Sequence, residues 1–235
     1  MKRVLLTGLL VLAVALGVGG GYFAGDYLDR PLPSASGDAS PLGNPPTPSP
    51  SEPSLPVKTP IASNVPPLET GLDYVRHLFT VTPKGQPSVQ LSLKTPEGWT
   101  ISRNPKEPGE VKYLDRLKER GVRVEAVEPL ALTPAAAQQK LIVGLRQSQP
   151  PENDLKILSR TTEEIEGEDG GPRTVATLIY TYIPIQTLRY VVVRWIALPG
   201  DERAAVEMSI TGLPQDADGL AEVLREATTT VHPTG

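Results

Sequence analysis

Residues 173–211 read RTVATLIYTYIPIQTLRYVVVRWIALPGDERAAVEMSIT. Three runs rich in Val, Ile, Thr, Tyr and Trp, at 174–183, 188–198 and 203–211, are parted by the short segments PIQT and PGDE. That composition and spacing predict three strands joined by tight turns. The first two runs are apolar at odd and even positions alike, which predicts central strands covered on both faces. The third alternates, with Val206, Met208 and Ile210 against Glu207, Ser209 and Thr211. The turn PGDE has an even length, which sets Arg194 across from Glu207 and Trp195 across from Val206. On that register Val191, Val193 and Trp195 share a face with Val206, Met208 and Ile210. Arg189, Tyr190, Arg194 and Glu207 then lie toward the other face or its rim, a candidate groove for an anionic ligand or a partner. The competing reading of Arg194 and Glu207 is a cross-strand ion pair.

Upstream, Glu166 to Gly171 is an acidic hairpin turn carrying Asp169-Gly170, and it is fed by a strand at Leu155 to Ile165. Thr133-Pro134 opens a helix with an N-cap and a proline at the first helical position. The stripe Ala137, Leu141, Gly144, Leu145 and Ser148 would face the core, and Gln149-Pro150-Pro151 stops the helix. Before it come a hairpin, with Phe79 and Val81 answered by Val89, Leu91 and Leu93, and the tight turn Thr95 to Trp99. Strands follow at Lys112 to Leu114 and Gly121 to Val127, where Val122, Val124 and Ala126 face one way and Arg123 and Glu125 the other. Downstream, Asp216 or Asp218 caps a last helix bearing Leu220, Val223, Leu224, Ala227 and Val231 on one face. The order is strands, a helix, four meander-connected strands and a final helix. That is an α+β domain over residues 68–235, an antiparallel sheet flanked by helices.

The rest of the 235 residues is of another kind. Met1 to Arg3 is a short basic n-region, and Val4 to Ala24 carries no charge. As a helix that stretch would be roughly 30 Å long, enough to cross a hydrocarbon core. Lys2 and Arg3 place the N-terminus in the cytoplasm and the remainder outside. Two readings stand: an uncleaved single-pass anchor in the cell membrane, or a signal sequence cleaved near Ala15-Leu16-Gly17 to give a secreted protein. Ala13, Gly17, Gly21 and Gly25 recur every fourth residue, a small-residue face that would support weak homo-association. Residues 25–67 are rich in Pro, Ser and Thr and poor in large apolar side chains, which predicts a disordered spacer.

Composition narrows the function. A net charge of −4 argues against a nucleic-acid partner. Without cysteine there are no disulfides, no thiol nucleophiles and no lipidation site. Only His77 and His232 could supply an imidazole, and no Gly-x-Ser-x-Gly turn accompanies them. His77 reads as a surface or edge histidine. Glu163, Glu164, Glu166, Glu168 and Asp169 offer oxygen ligands, but their spacing is that of a solvated hairpin tip rather than a calcium loop. Trp99 and Trp195 read as core residues. The sequence predicts no catalytic residue, cofactor or metal.

The arrangement resembles the PsbP-like fold, as found in LpqN-type envelope proteins of actinobacteria. The residues that carry the likeness are the Pro96-Glu97-Gly98-Trp99 turn, the Thr133-Pro134 helix start, and Ser209 to Pro214 ahead of the Leu220–Val231 helix. The resemblance implies an α/β/α sandwich and a non-enzymatic, export-associated binding or assembly domain, with no catalytic residues to carry over. LpqN-type proteins are lipidated, so here a peptide anchor would replace the lipid. The function expected is a membrane-tethered, extracytoplasmic binding module of a bacterial envelope, with an unknown envelope protein or ligand as partner. The alternatives are an envelope-acting enzyme of unrecognised type and a scaffold that self-associates through its anchor.

Overall fold

The computed structural model describes residues 56–83, 85–126 and 132–234. The expected membrane segment and the spacer up to residue 55 lie outside them. Among the described residues no helix is long and apolar enough to cross a membrane.

Over the described residues the chain is mixed α+β, with antiparallel sheets and two α-helices. A three-stranded sheet runs β1 (Tyr74–Val81), β2 (Val89–Pro96) and β10 (His232–Pro233). A seven-stranded sheet holds β3 (Thr100–Ser102), β4 (Glu110–Leu114), β5 (Gly121–Ala126), β9 (Ala204–Gly212), β8 (Arg189–Ala197), β7 (Pro172–Tyr182) and β6 (Lys156–Glu166), in that spatial order. Two sheets stand where one was expected. The four-strand meander β6 to β9 forms as its turn signals predict. Within the large sheet β5 pairs out of sequence, beside β9, and in the small sheet β10 returns to β2.

Alternation decides which side chains meet. Val122, Val124, Val206, Met208 and Ile210 line one face of the large sheet, together with Phe79, Val81, Leu91 and Leu93 of the small one. The second helix, α2 (Ala217–Thr230), closes this core with Leu220, Val223, Leu224 and Ala227, the expected stripe. Its C-terminus is held by the buried Arg173, whose Nη1 donates to the carbonyls of Thr228 (3.0 Å) and Val231 (2.5 Å). A cation suits that end of a helix dipole. Trp99 reaches the core edge through the Pro96–Trp99 turn, where Gly98 takes a left-handed φ of +80°.

The first helix, α1 (Pro134–Ser148), docks on β7 and β8. Thr133 caps it through a 3.3 Å hydrogen bond from the Ala136 amide. Its buried residues are Pro134, Gln138, Ile142 and Leu145, so of the stripe expected at Ala137, Leu141, Gly144, Leu145 and Ser148 only Leu145 is buried and the buried face is rotated. The reason is polar: Gln138 Nε2 donates to the carbonyls of Thr161 (3.1 Å) and Thr177 (2.6 Å).

The compact unit begins at Val57, upstream of the Leu68 boundary expected from composition. Residues 57–67 form no helix or strand, yet they are strapped down. The Lys58 amide donates to Glu152 O (2.9 Å) and the Ile61 amide to Gln186 O (2.7 Å). Lys58 Nζ reaches Asn153 Oδ1 (2.5 Å) and Pro184 O (2.8 Å). This part of the predicted disordered spacer is therefore ordered. Backbone amides, the Lys58 ammonium and the Arg120 and Gln215 side chains, which donate to the Pro66 and Val65 carbonyls, hold it, and these leave no trace in hydropathy.

Candidate functional site

The face of the large sheet turned away from the main core carries an ionic array. Strand pairing builds it from residues far apart in sequence. Glu110 on β4 stands opposite Glu125 on β5, Glu125 opposite Glu207 on β9, and Glu207 opposite Trp195 on β8. The adjacent row is Lys112, Arg123 and Ser209. Three carboxylates in a row across neighbouring strands repel one another unless a cation joins them.

Arg123 does so. Its side chain is 5% exposed, and it spends each guanidinium nitrogen on a different acid. Nε donates to Glu110 Oε2, Nη2 to Glu125 Oε2, and Nη1 to Glu207 Oε1 over 3.0 Å. Lys112 Nζ lies 2.6 Å from the second oxygen of Glu110. Trp195 Nε1 donates to the second oxygen of Glu207 over 2.8 Å. The planar five-donor fork of arginine suits this task, because its donors sit on three separate nitrogens, whereas a lysine's all radiate from one.

The charges do not balance when all are ionised: three carboxylates face two cations. Burial, opposed by the attraction of Arg123 and Lys112, leaves Glu110 below the usual carboxylate range. Glu125 goes the other way. Burial, with the repulsion of Glu207 and Glu110 outweighing the pull of Arg123, pushes its carboxyl up to about 7. Glu125 is also the most accessible member of the array, its side chain 27% exposed against 13% for Glu207. An acid that titrates near neutrality at the rim of a charged cluster is a candidate functional group.

The four residues expected to line a groove do not come together. Pairing starts as the turn length requires, Ala197 opposite Ala204, but a bulge then leaves Ala205 unpaired. Beyond it Arg194 lies opposite Met208 and Trp195 opposite Glu207. One extra residue exchanges the two faces of β8 relative to β9. Arg194 therefore sits on the core side, donating to the hydroxyls of Thr177 (2.8 Å) and Thr228 (3.3 Å). Tyr190 packs at that core's margin. Arg189 binds Glu119, through Oε2 (2.6 Å) and the carbonyl (2.8 Å). Glu207 belongs to the Arg123 array. The cross-strand Arg194–Glu207 pair does not form.

The remaining candidates are placed as follows. His77 lies on β1, an edge strand of the small sheet, as the edge reading expects, and is half-buried there. Its ring lies 4.5 Å from that of Tyr113, and burial lowers its pKa. Glu168 takes Arg76 and Lys94 as partners, and Asp169 takes Arg173. Among the described residues no group of His, Asp and Glu is placed to hold a metal ion. A cleft of about 290 Å³ lies between Pro60–Ser63, Thr187–Leu188 and Leu213–Gln215, apart from the array and without a titratable side chain in its wall.

The sequence already shows Arg123 and Glu125 pointing away from the core, and Glu207 alternating outward. What it does not show is that β5 lies beside β9, which turns three separate acids into one row. No known family model matches this chain, and no curated protein matches it.

Proposed function

We propose that this protein is a membrane-tethered, extracytoplasmic binding module of a bacterial envelope, recognising a basic group of an envelope partner at the Arg123 array. Glu125 carries the reading. It is the accessible carboxylate of a cluster with one acid in excess, so a cation brought against it completes the charge balance that Lys112 and Arg123 leave short. The uncharged run Val4 to Ala24 behind Lys2 and Arg3 supports the tether, with a cleaved signal and secretion as the other outcome. Two helices on antiparallel sheets, Trp99 seated by its turn and the Thr133 cap support the PsbP-like α/β/α reading of the domain.

The test is co-purification of the full-length protein from detergent-solubilised envelopes, comparing wild type with Glu125→Gln and Glu125→Lys. A partner retained by wild type, weakened by the first change and lost with the second supports the reading. Equal recovery by all three sinks it. Protease accessibility in intact cells separately tests whether residues 57–234 face the exterior.

A further inference from the structure

Among the described residues the strand β6 is the outer edge of the seven-stranded sheet, and at 11 residues it is as long as β7, the strand it pairs with. Among the described residues, no backbone hydrogen bond links β6 to anything but β7. Most of its positions are exposed. A long open edge is a template for another strand unless something blunts it. The far edge of the same sheet is β3, which has only three residues.

The sequence of this edge is polarised. Its first half, KILSR, carries Lys156 and Arg160, and its second half, TTEEIE, carries Glu163, Glu164 and Glu166. An antiparallel copy lays each basic half against an acidic half. In such a pair, directly opposed residues must share a sheet face, so the two-fold axis passes through one residue of the strand. Arg160, Thr162 and Glu164 share one face, opposite Leu178, Ala176 and Thr174 of β7.

Only one choice of axis satisfies the charges. Through Glu163 it sets that carboxylate against itself. Through Arg160 it sets two guanidinium groups together. Through Thr161 it draws in the irregular stretch between Ile157 and Ser159, where the β6–β7 register shifts, and leaves Arg160 facing Thr162. Through Thr162 the paired segment is residues 159–165, clear of the bulge, with Arg160 of each copy opposite Glu164 of the other. Opposite charges at directly opposed positions stabilise antiparallel pairs, and here two-fold symmetry makes the contact twice.

We infer that β6 is a self-association edge: two copies of this chain pair antiparallel about Thr162 and join their large sheets into one continuous sheet. The surface is distinct from the Arg123 array, and the inference does not depend on the binding function proposed above.

The full-length protein in detergent micelles, followed by sedimentation velocity over a range of concentrations, tests it. Wild type is expected to dimerise. Arg160→Glu and Glu164→Arg each turn two attractions into repulsions and weaken the dimer roughly tenfold or more. The double variant Arg160→Glu/Glu164→Arg restores it. Thr162→Pro, at the axis, abolishes it, and circular dichroism verifies that the fold is kept. A monomeric wild type overturns the inference, whether the edge stays open or is covered by the chain's own residues 1–55. So does a dimer indifferent to all four changes, which would point to Gly17, Gly21 and Gly25, and so does a double variant no better than the singles.

Discussion

Trp195 and Glu207 stand directly across from one another on β8 and β9, and the indole Nε1 donates to the carboxylate over 2.8 Å. The relationship exists because Ala205 bulges out of the pairing. Without that bulge Trp195 would face Val206 and turn its N–H into an apolar core, where an unpaired donor is costly. Glu207 thus serves two masters: one oxygen satisfies a buried indole, the other neutralises part of Arg123.

Replacing Glu207 separates these duties. Glu207→Leu leaves the indole N–H without an acceptor and should cost about 1–3 kcal/mol. Glu207→Gln keeps an oxygen for Trp195 and gives up only the charge, so it should cost less. Urea unfolding followed by tryptophan fluorescence gives both values. Equal losses for the two substitutions would mean that the hydrogen bond contributes nothing beyond the charge.

Glu125 makes stability depend on pH in an unusual direction. Its carboxyl titrates near 7 in the folded chain, above the ordinary carboxylate value, because burial and the neighbouring acids disfavour the charge. Between about 4.5 and 7 the folded state therefore binds more protons at this site than the unfolded state does. Its contribution is greatest below the unfolded value, declines as pH rises through that window, and is flat above it. Glu110 is shifted downward, so its own effect falls below the window. Glu125→Gln, which mimics the protonated form, should remove the decline. The measurement is the wild-type minus variant difference in unfolding free energy from pH 4.5 to 8. A difference that stays flat from about pH 4.5 to 8 would show that Arg123 holds Glu125 ionised.

Much of the fold follows from local signals. The meander from β6 to β9, the double-sided apolarity of β7 and β8, the alternation in β5, the turn that seats Trp99 and the α2 stripe all lie where pattern and turn chemistry put them. The array was legible only in pieces. Arg123 and Glu125 alternate outward in plain view, but their meeting with Glu207 depends on β5 crossing to β9, and no local pattern encodes a long-range neighbour. The Ala205 bulge is hidden for a related reason. It leaves the alternation within each strand intact and changes only how two strands are matched. Gln138 misleads because a polar residue that bonds carbonyls on the sheet looks, by hydropathy, like one meant for water.

Asp216 is fully buried and answers three donors: the Leu213 amide (2.8 Å), the Leu68 amide (2.9 Å) and Arg120 Nη2 (2.8 Å). It thereby joins the start of α2 to the β4–β5 turn and to the strap. Asp216→Ala leaves Arg120 inside with the Asp115 carboxylate, at 3.4 Å, and the Pro66 carbonyl. Breaking a buried pair from one side costs about 3–5 kcal/mol. Asp216→Asn retains an acceptor and should fall between Ala and wild type. The midpoint of urea denaturation orders the three. An alanine variant within 1 kcal/mol of wild type, by the same yardstick of roughly 3 for a broken buried pair, would mean that this network does not tie the elements together.

Lys58 fixes where the ordered domain begins. Its ammonium lies among Asn153 Oδ1, Pro184 O and Glu152, and its amide donates to Glu152 O. Asn153 is buried, so Lys58→Ala strips a charged donor from a shielded oxygen, at a cost of about 1–3 kcal/mol. Local opening should exceed global loss, because residues 57–67 contribute few apolar contacts to the core. Proteinase K acting on the native protein should spare residues 57–67 in wild type and cut within them in Lys58→Ala, while residues 74–231 stay intact in both. A chain beginning at Leu68 should likewise be less stable than one beginning at Val57, since it lacks every strap contact made ahead of Leu68. Cleavage inside 57–67 at the same rate in wild type and variant would show that the strap is loose in solution and that the spacer runs on to Leu68 after all.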